Sequence, residues 1–346
     1  MAGMSRTAPE DRGGSMSNDG RTDPATEGFL AHRSLLFTVA YEMLGSAADA
    51  EDVLQETWLR WVGVDLGTVR DQRAYMVRIT TRQALSRLRT LGRRKESYVG
   101  PWLPEPLLTA PDVAEDVELA ESVSMAMLLV LETLTPTERA VFVLREVFDV
   151  AYDEIAEAVA KSPAAVRQIA HRARAHVAAR RPRGVVSPAE TRDVLEAFQR
   201  AAETGDLQRL LDMLAPDVVF LGDGGGVVQA VRVPVVGAGR VARLLATVLG
   251  RIAATAAVSL QSAQVNGYPA LILRLNGDID TVLVVRIDDG LVTGLYAVRN
   301  PEKLSHMQQE TTLRRLVRGT RKRATHLASP PARRGWRRRS KVLGGR

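Results

Sequence analysis

The sequence predicts a multidomain chain: two all-α domains, the second with a helix-turn-helix, followed by an α+β domain shaped as a cone. Three observations predict it. Apolar residues recur at spacings of three and four from Gly28 to about Arg181, the period of helices that bury one face. A stretch with three prolines in ten positions, YVGPWLPEPL at 98–107, interrupts that pattern and can join neither neighbouring helix. Beyond Leu214 the pattern changes to β-branched runs separated by turn signals.

The 346 residues, 45% hydrophobic and 25% charged, suit a soluble protein of two or three domains. Residues 1–27 are polar, acidic and Gly-rich and read as a disordered leader, with Met16 as a second candidate start. They lack the apolar core of a signal peptide, and no apolar run reaches the roughly 18 residues of a membrane helix. The chain has no cysteine. That excludes disulfides, thiolate zinc sites and a Cys nucleophile, and it fits a reducing cytoplasm. No metal, cofactor or membrane contact is expected.

Residues 28–95 form the first helical domain, with Leu35, Leu36, Val39, Ala40, Val53, Leu54, Ile79, Leu85 and Leu88 on its apolar faces. Within it, SAADAEDVLQETWLRW sets Asp49, Glu51, Asp52 and Glu56 beside Val53, Trp58 and Leu59, a mixed surface suited to a protein partner. The following RDQRAYMVRITTRQALSRLRTLGRRK, at 70–95, is a basic amphipathic helix. Its Arg78, Arg82, Arg87 and Arg89, with Ser86 and Tyr75, offer cations and hydrogen-bonding groups along which a nucleic-acid strand could lie; a solvated basic face is the plainer alternative.

The connector, 96–118, is pre-stiffened where a merely flexible one would be rich in Gly and Ser. Trp102, Leu103 and Pro104 on such a strand suit docking if exposed, and a Pro-rich spacer is the alternative. The second helical domain, 119–183, is read as helical from Val123, and TPTE at 135–138 is a capping box with Pro at the first helical position. In YDEIAEAVAKSPAAVRQIAHRARAHVAARR, Ile155, Ala156 and Val159 face inward on one helix. A turn at 160–162 follows, and Ser162 with Pro163 caps a second helix whose Val166, Ile169 and Ala170 also point inward. Arg167, Gln168, His171, Arg172 and Arg174 are left outside. Arg and Gln can bond purine edges in the major groove, and the other cations suit phosphates.

The third domain, 187–305, opens on a capping box, SPAE at 187–190, with helices over 189–214. The runs VVFLGD, VVQAVRV, ATAAVSLQSAQV, ALILRL, DTVLVVRI and LVTGLYAV predict a curved antiparallel sheet with one helix near 238–249. The segment 306–346 carries thirteen Lys and Arg against one acid, Glu310. The net charge of +7 therefore resides in a tail that reads as disordered and suits non-specific nucleic-acid contact.

In this order, DAEDVLQETWLR, RAYMVRITTRQALSRLR and LTPTERAVFVLREVFDVAYDEIAEAVAKSPAAVRQIAHRAR resemble the two conserved domains of extracytoplasmic-function RNA polymerase sigma factors. The resemblance implies that 49–60 contacts the clamp of the largest polymerase subunit, that the basic helix melts and reads the minus-ten element, and that the helix-turn-helix reads the minus-thirty-five element. YVGPWLPEPL, DGGG (Asp223, Gly224, Gly225, Gly226) and NPEKL (Asn300, Pro301, Lys303, Leu304) resemble the signature set of a sigma-J-like subgroup with a fused SnoaL-like domain. The implied function is promoter-directed initiation tuned by that domain, with core polymerase and promoter DNA as partners and no separate anti-sigma protein. The chain departs from the pattern at Arg82 and Ser86, where Asn is common, at Ala160 and Lys161 in the turn, and at Val227, where Lys is usual. SnoaL-like cones also house cyclases and isomerases. Within the third domain the candidate acids are Asp217, Asp223, Asp278 and Asp280, and that domain has no His before His306, so an enzyme is not expected. A ligand-responsive helix-turn-helix regulator leaves the acidic segment and basic helix unexplained.

Overall fold

The computed structural model describes residues 23–110, 112–113, 116–180 and 188–315. Residues 1–22 of the expected leader 1–27, Ser187 of the second capping box and residues 316–346 of the expected tail 306–346 lie outside the described residues. Residues 24–27 begin a helix instead of closing a leader, and 306–315 pack on the protein instead of opening a disordered tail. The described residues lie in one compact unit.

Three helices open it: α1 (Pro24–Leu44), α2 (Ala47–Trp61) and α3 (Gln72–Glu96). Each starts on a side-chain cap, Asp23, Ser46 and Asp71 respectively, which satisfies amides that have no partner within the helix. Gly45, at φ 68°, turns the chain left-handed and ends α1. The second bundle holds α4 (Val117–Val123), α5 (Met125–Leu131), α6 (Pro136–Phe142), a π turn at Val143–Val147, α7 (Tyr152–Val159) and α8 (Pro163–Ala178). It begins earlier than the periodicity predicts. Asp116 accepts from the Leu119 amide at 3.1 Å, so the acidic run caps a helix instead of preceding one. The capping box at Thr135 and Glu138 is formed as expected. The two bundles also share one core: Leu36, Val39, Met76 and Leu85 belong to the same buried cluster as Leu128, Val141, Ile155 and Val166.

The third domain comprises α9 (Pro188–Thr204), α10 (Leu207–Met213), α11 (Ala238–Ala253) and six strands: β1 (Leu214–Asp223), β2 (Val235–Val236), β3 (Val258–Val265), β4 (Tyr268–Leu275), β5 (Asp278–Asp288) and β6 (Leu291–Val298). The order is β2-β1-β6-β5-β4-β3. Two expectations are corrected. The sheet is not wholly antiparallel, because β1 pairs with β6 in parallel; the helix α11 and four strands between them supply the crossover that parallel pairing requires. VVQAVRV is not a strand. The amides of Val227 and Val228 both return to the Gly224 carbonyl, which folds the segment into a turn and leaves Val227 and Val233 64% and 67% exposed. β-branched composition marks a fit to a half-buried pleat, and here no strand lies alongside.

Helices α9 to α11 cover the inner face, where Leu195, Phe198, Val218, Leu271 and Leu295 are buried. A cavity of about 460 Å³ remains between α11 and β1/β6, lined by Phe220, Leu245, Val248, Arg251, Ile252 and Arg299 among others. The outer face, with Ala270, Ile272, Val282 and Val298, is covered by Leu103 of the connector, Met125 of α5, and Leu304 and Met307. Leu304 ends α12 (Pro301–Leu304). The chain then returns to the helical bundles: the Thr311 amide donates to the Leu108 carbonyl at 2.7 Å, the Arg314 amide donates to Thr38 Oγ1 at 3.0 Å, and Leu313 is buried in the helical core.

Candidate functional site

The helix-turn-helix builds from its caps inward. Ser162 Oγ accepts from the Ala165 amide at 3.2 Å and Pro163 takes the first position of α8. Ala160 ends α7 in the left-handed region at φ 54°, a conformation an L-residue adopts only at a cost. Ile155, Ala156, Val166, Ile169 and Ala170 are buried and Val159 is half-buried, while Arg167, Gln168, His171, Arg172 and Arg174 are exposed. Arg167 lies 5.6 Å from the Tyr152 ring centroid; Arg172 and Arg174 lie 3.9 and 3.7 Å from Glu138 and Glu146.

The basic helix is engaged elsewhere. Arg78 Nη1 donates to Glu157 Oε2 at 2.7 Å and Arg82 Nη2 to the Glu157 carbonyl at 2.8 Å, so α7 of the second bundle rests on residues expected to meet DNA. Tyr75 is half-buried, with Arg78 over its ring, and Ser86 and Arg89 are exposed. Arg87 faces the acidic segment: it bonds Asp49 Oδ1 at 2.6 Å and Asp52 Oδ2 at 2.7 Å. Asp49 is thereby buried, with a side chain 7% exposed, and presents no open carboxylate. Asp52 and Glu56 are exposed and Glu51 is half-exposed. Glu51 pairs with Arg33 at 2.7 Å. Trp58 is half-buried against Phe29, ring centroids 5.2 Å apart.

The three signature segments meet at one node. Asp223, fully buried at the end of β1, accepts from Tyr98 Oη at 2.6 Å, the Leu103 amide at 2.9 Å and Lys303 Nζ at 2.7 Å. Its backbone carbonyl accepts from the amides of Arg299 and Asn300. Lys303 also donates to the Leu103 carbonyl at 2.6 Å and sits 3.3 Å from the centroid of the Trp102 ring, a cation–π contact worth about 2 kcal/mol when desolvated. Burial pulls the Lys303 ammonium down to about 8, with Asp223 opposing that shift. Asn300 caps α12 and donates to Tyr98 Oη at 3.0 Å. Pro301 is exposed and starts that turn, and Pro104 is buried beside Leu103. The glycines permit this closeness: a Cβ on Gly225, whose φ is 64°, would fall 2.4 Å from Asn300 Nδ2, and one on Gly224 2.3 Å from the Val228 carbonyl oxygen. Leu103 is therefore buried and Trp102 half-buried against the fused domain.

Two further residues carry the same junction and gave no sequence signal. Glu105 accepts from Ser46 Oγ and from the amides of Ala47 and Ala48, at 2.8, 2.7 and 3.2 Å, placing a connector carboxylate at the N-terminus of α2. Asn266, in the β3–β4 turn at φ 54°, accepts from the Leu107 amide at 3.0 Å and donates to Tyr41 Oη and the Val123 carbonyl at 2.6 and 2.8 Å. One amide side chain thus ties α1, the connector and α4 to the sheet. None of Asp217, Asp223, Asp278 and Asp280 lines the cone cavity; Asp280 is paired with Arg299 at 2.8 Å. Among the described residues no cluster of three or more His, Cys, Asp or Glu is placed to hold a metal, and no helix is long and apolar enough to cross a membrane.

Residues 29–94 match sigma-70 region 2 and residues 124–177 match sigma-70, region 4. The chain is 36% identical over 293 residues to the ECF RNA polymerase sigma factor SigJ of Mycobacterium tuberculosis, covering 80% of this chain and 92% of that protein. The chain belongs to the ECF RNA polymerase sigma factors. The sigma factor is also 33% identical over 291 residues to the probable ECF RNA polymerase sigma factor SigI of the same organism, covering 83% and 97%. The crystal structure of M. tuberculosis SigJ superposes on 81% of this sigma factor and 98% of that chain, with a TM-score of 0.66 and 33% identity. The helical regions 2 and 4 and the SnoaL-like sheet domain of this sigma factor are the parts anticipated from the sequence.

Proposed function

We propose that this sigma factor is held closed by its own SnoaL-like domain and directs core polymerase to promoters once that hold is released. One observation carries the reading: Asp223 and Lys303 pin the connector at Leu103 while Arg78 and Arg82 are spent on Glu157. Reading two promoter elements at once requires regions 2 and 4 to separate, and the pinned connector keeps them on a shared core. In the released chain, Arg167, Gln168, His171, Arg172 and Arg174 read the minus-thirty-five element, and Tyr75, Arg78, Arg82, Ser86, Arg87 and Arg89 hold the minus-ten strand. Asp49, Glu51, Asp52, Glu56 and Trp58 meet the clamp of the largest polymerase subunit, with Arg87 leaving Asp49 as it turns to DNA. The restraint lies within the chain, so this reading needs no separate anti-sigma protein. It places the sigma factor with polymerase in the cytoplasm. An enzymatic role draws no support from a cavity whose lining includes no Asp, Glu or His.

The test is reconstitution with core polymerase and a promoter library. Defined start sites are expected from the wild-type chain, with more transcript from Trp102→Ala at matched protein levels. Unchanged output from that variant would leave the connector a spacer.

A further inference from the structure

A second cavity, apart from the cone, lies between the start of α5 and the outer face of the sheet. It has a volume of about 80 Å³, with Met125, Met127, Val265 and Val284 among its apolar walls and Arg286 and Asp288 among its polar ones. Two atoms of that polar pair, Arg286 Nε and Asp288 Oδ1, are buried without a protein partner. Asp288 is only 9% exposed. Its other oxygen accepts from Thr293 Oγ1 at 2.6 Å and lies 2.8 Å from Arg286 Nη2. The pair is neutral as a whole, yet it keeps one donor and one acceptor in hand, and buried polar atoms left so are costly.

We propose that this seam binds a small neutral molecule through a primary carboxamide or urea group, whose carbonyl accepts from Arg286 Nε and whose N–H donates to Asp288 Oδ1. A carboxylate would confront Asp288 and Glu121, which also lines the cavity, and an ammonium would meet Arg286 at the pair, so a neutral group fits the two unpartnered atoms best. Volume sets the size. A water takes ~30 Å³ of liquid and an apolar cavity of ~150 Å³ holds benzene, so this one, at about 80 Å³, encloses a head of about three heavy atoms, the size of a carboxamide group. The rest of the ligand lies along Met125, Met127 and Val284 toward solvent. One wall belongs to region 4 and the other to the fused domain, so an occupant favours the state in which the two touch.

Benzamide and phenylurea are suitable probes, with benzoate, benzamidine and toluene as controls, titrated into the full chain and followed by calorimetry and by hydrogen exchange of the α5 amides. Both probes should bind saturably and at least tenfold more tightly than any control, and should slow exchange in α5. Ala126→Leu narrows the cavity from the α5 side while sparing the ion pair. Asp288→Asn keeps an oxygen for Thr293 and turns an NH₂ group toward the ligand donor. Each should weaken binding at least tenfold, whereas Val248→Trp, which fills the cone cavity, should leave it unchanged. Saturable binding of benzoate or toluene at equal strength, loss through Val248→Trp, retention in Asp288→Asn, or no saturable binding of either probe would each overturn the assignment. Asp288→Asn alone decides should Ala126→Leu fail to fold.

Discussion

Glu42 is fully buried on α1 between the two sigma regions. Its Oε1 accepts from Ser122 Oγ at 2.8 Å, its backbone carbonyl accepts from Arg139 Nε at 3.0 Å, and its Oε2 has no partner. Burial pushes its carboxyl up to about 8, with Ser122 and Arg139 pulling the other way. A carboxyl raised in the folded state contributes stability that is whole below about 4.5 and is lost as pH climbs to about 8. Glu42→Gln should therefore unfold much like the wild type at pH 4 and be more stable by about 2–4 kcal/mol at pH 7.5, as read from urea midpoints at the two pH values. Lys303 works in the opposite sense. Its ammonium is held down near 8, so its contribution grows between about pH 8 and 10.5, where the unfolded chain still holds the proton. Lys303→Met leaves Asp223 buried without its cation, a loss of about 3–5 kcal/mol. The gap between wild type and this variant should widen from pH 8 to pH 10, and a constant gap would remove Lys303 from the account.

Where α7 rests on α3, one residue, Glu157, holds both Arg78 and Arg82. Glu157→Lys takes the carboxylate from Arg78, which should be freed, and sets a cation beside Arg82, whose backbone acceptor remains. The expected result is at least severalfold tighter binding of a single-stranded minus-ten oligonucleotide, measured by anisotropy at fixed salt because phosphate contacts are salt-dependent. On α8, replacing Arg167 or Gln168 by Ala should shift the selected minus-thirty-five sequence by about 1–3 kcal/mol per lost bidentate contact, while Arg172→Ala should weaken binding evenly across sequences. Identical selections from all three would mean that another element reads the groove. The helix-turn-helix was legible in the sequence because its caps and its inward Val166, Ile169 and Ala170 are local signals, written within one turn of the residues they order. The node was legible only as co-occurring motifs; that Lys303 would bond Asp223 and the Leu103 carbonyl at once depends on packing. Glu105 and Asn266 were illegible for a related reason. Their partners lie 58 residues away at Ala47 and 225 residues away at Tyr41, and no periodicity records a contact at that range. The run at 227–233 misled because side-chain branching was visible and the absence of a neighbouring strand was not.

At the scale of the molecule, the sheet domain and the segment after it grip the sigma regions at separate points: the node, Asn266, and the returning stretch at 311–315, where Arg315 pairs with Asp116 and Glu118. Ending the chain after Asn300 removes Lys303, Leu304 and the returning stretch but spares the strands. Ending it after residue 187 removes the domain and any help it gives in holding polymerase. Transcription at matched protein levels should rise with the first truncation and fall with the second; two truncations that both leave it unchanged would show that the domain does not regulate. The returning stretch also fixes an order in time. Regions 2 and 4 are complete by Val177, yet Arg314, which donates to Thr38 across 276 positions, is among the later residues made. Roughly 140 residues separate Val177 from Arg315, about 7–28 s of synthesis at ~5–20 residues per second. Each new molecule therefore spends its first seconds with regions 2 and 4 made but without the node, Asn266 or the returning stretch, held only by their shared core and by Glu157 on Arg78 and Arg82. If the fused domain is the restraint we propose, a nascent chain on the ribosome is the form in which that restraint is weakest.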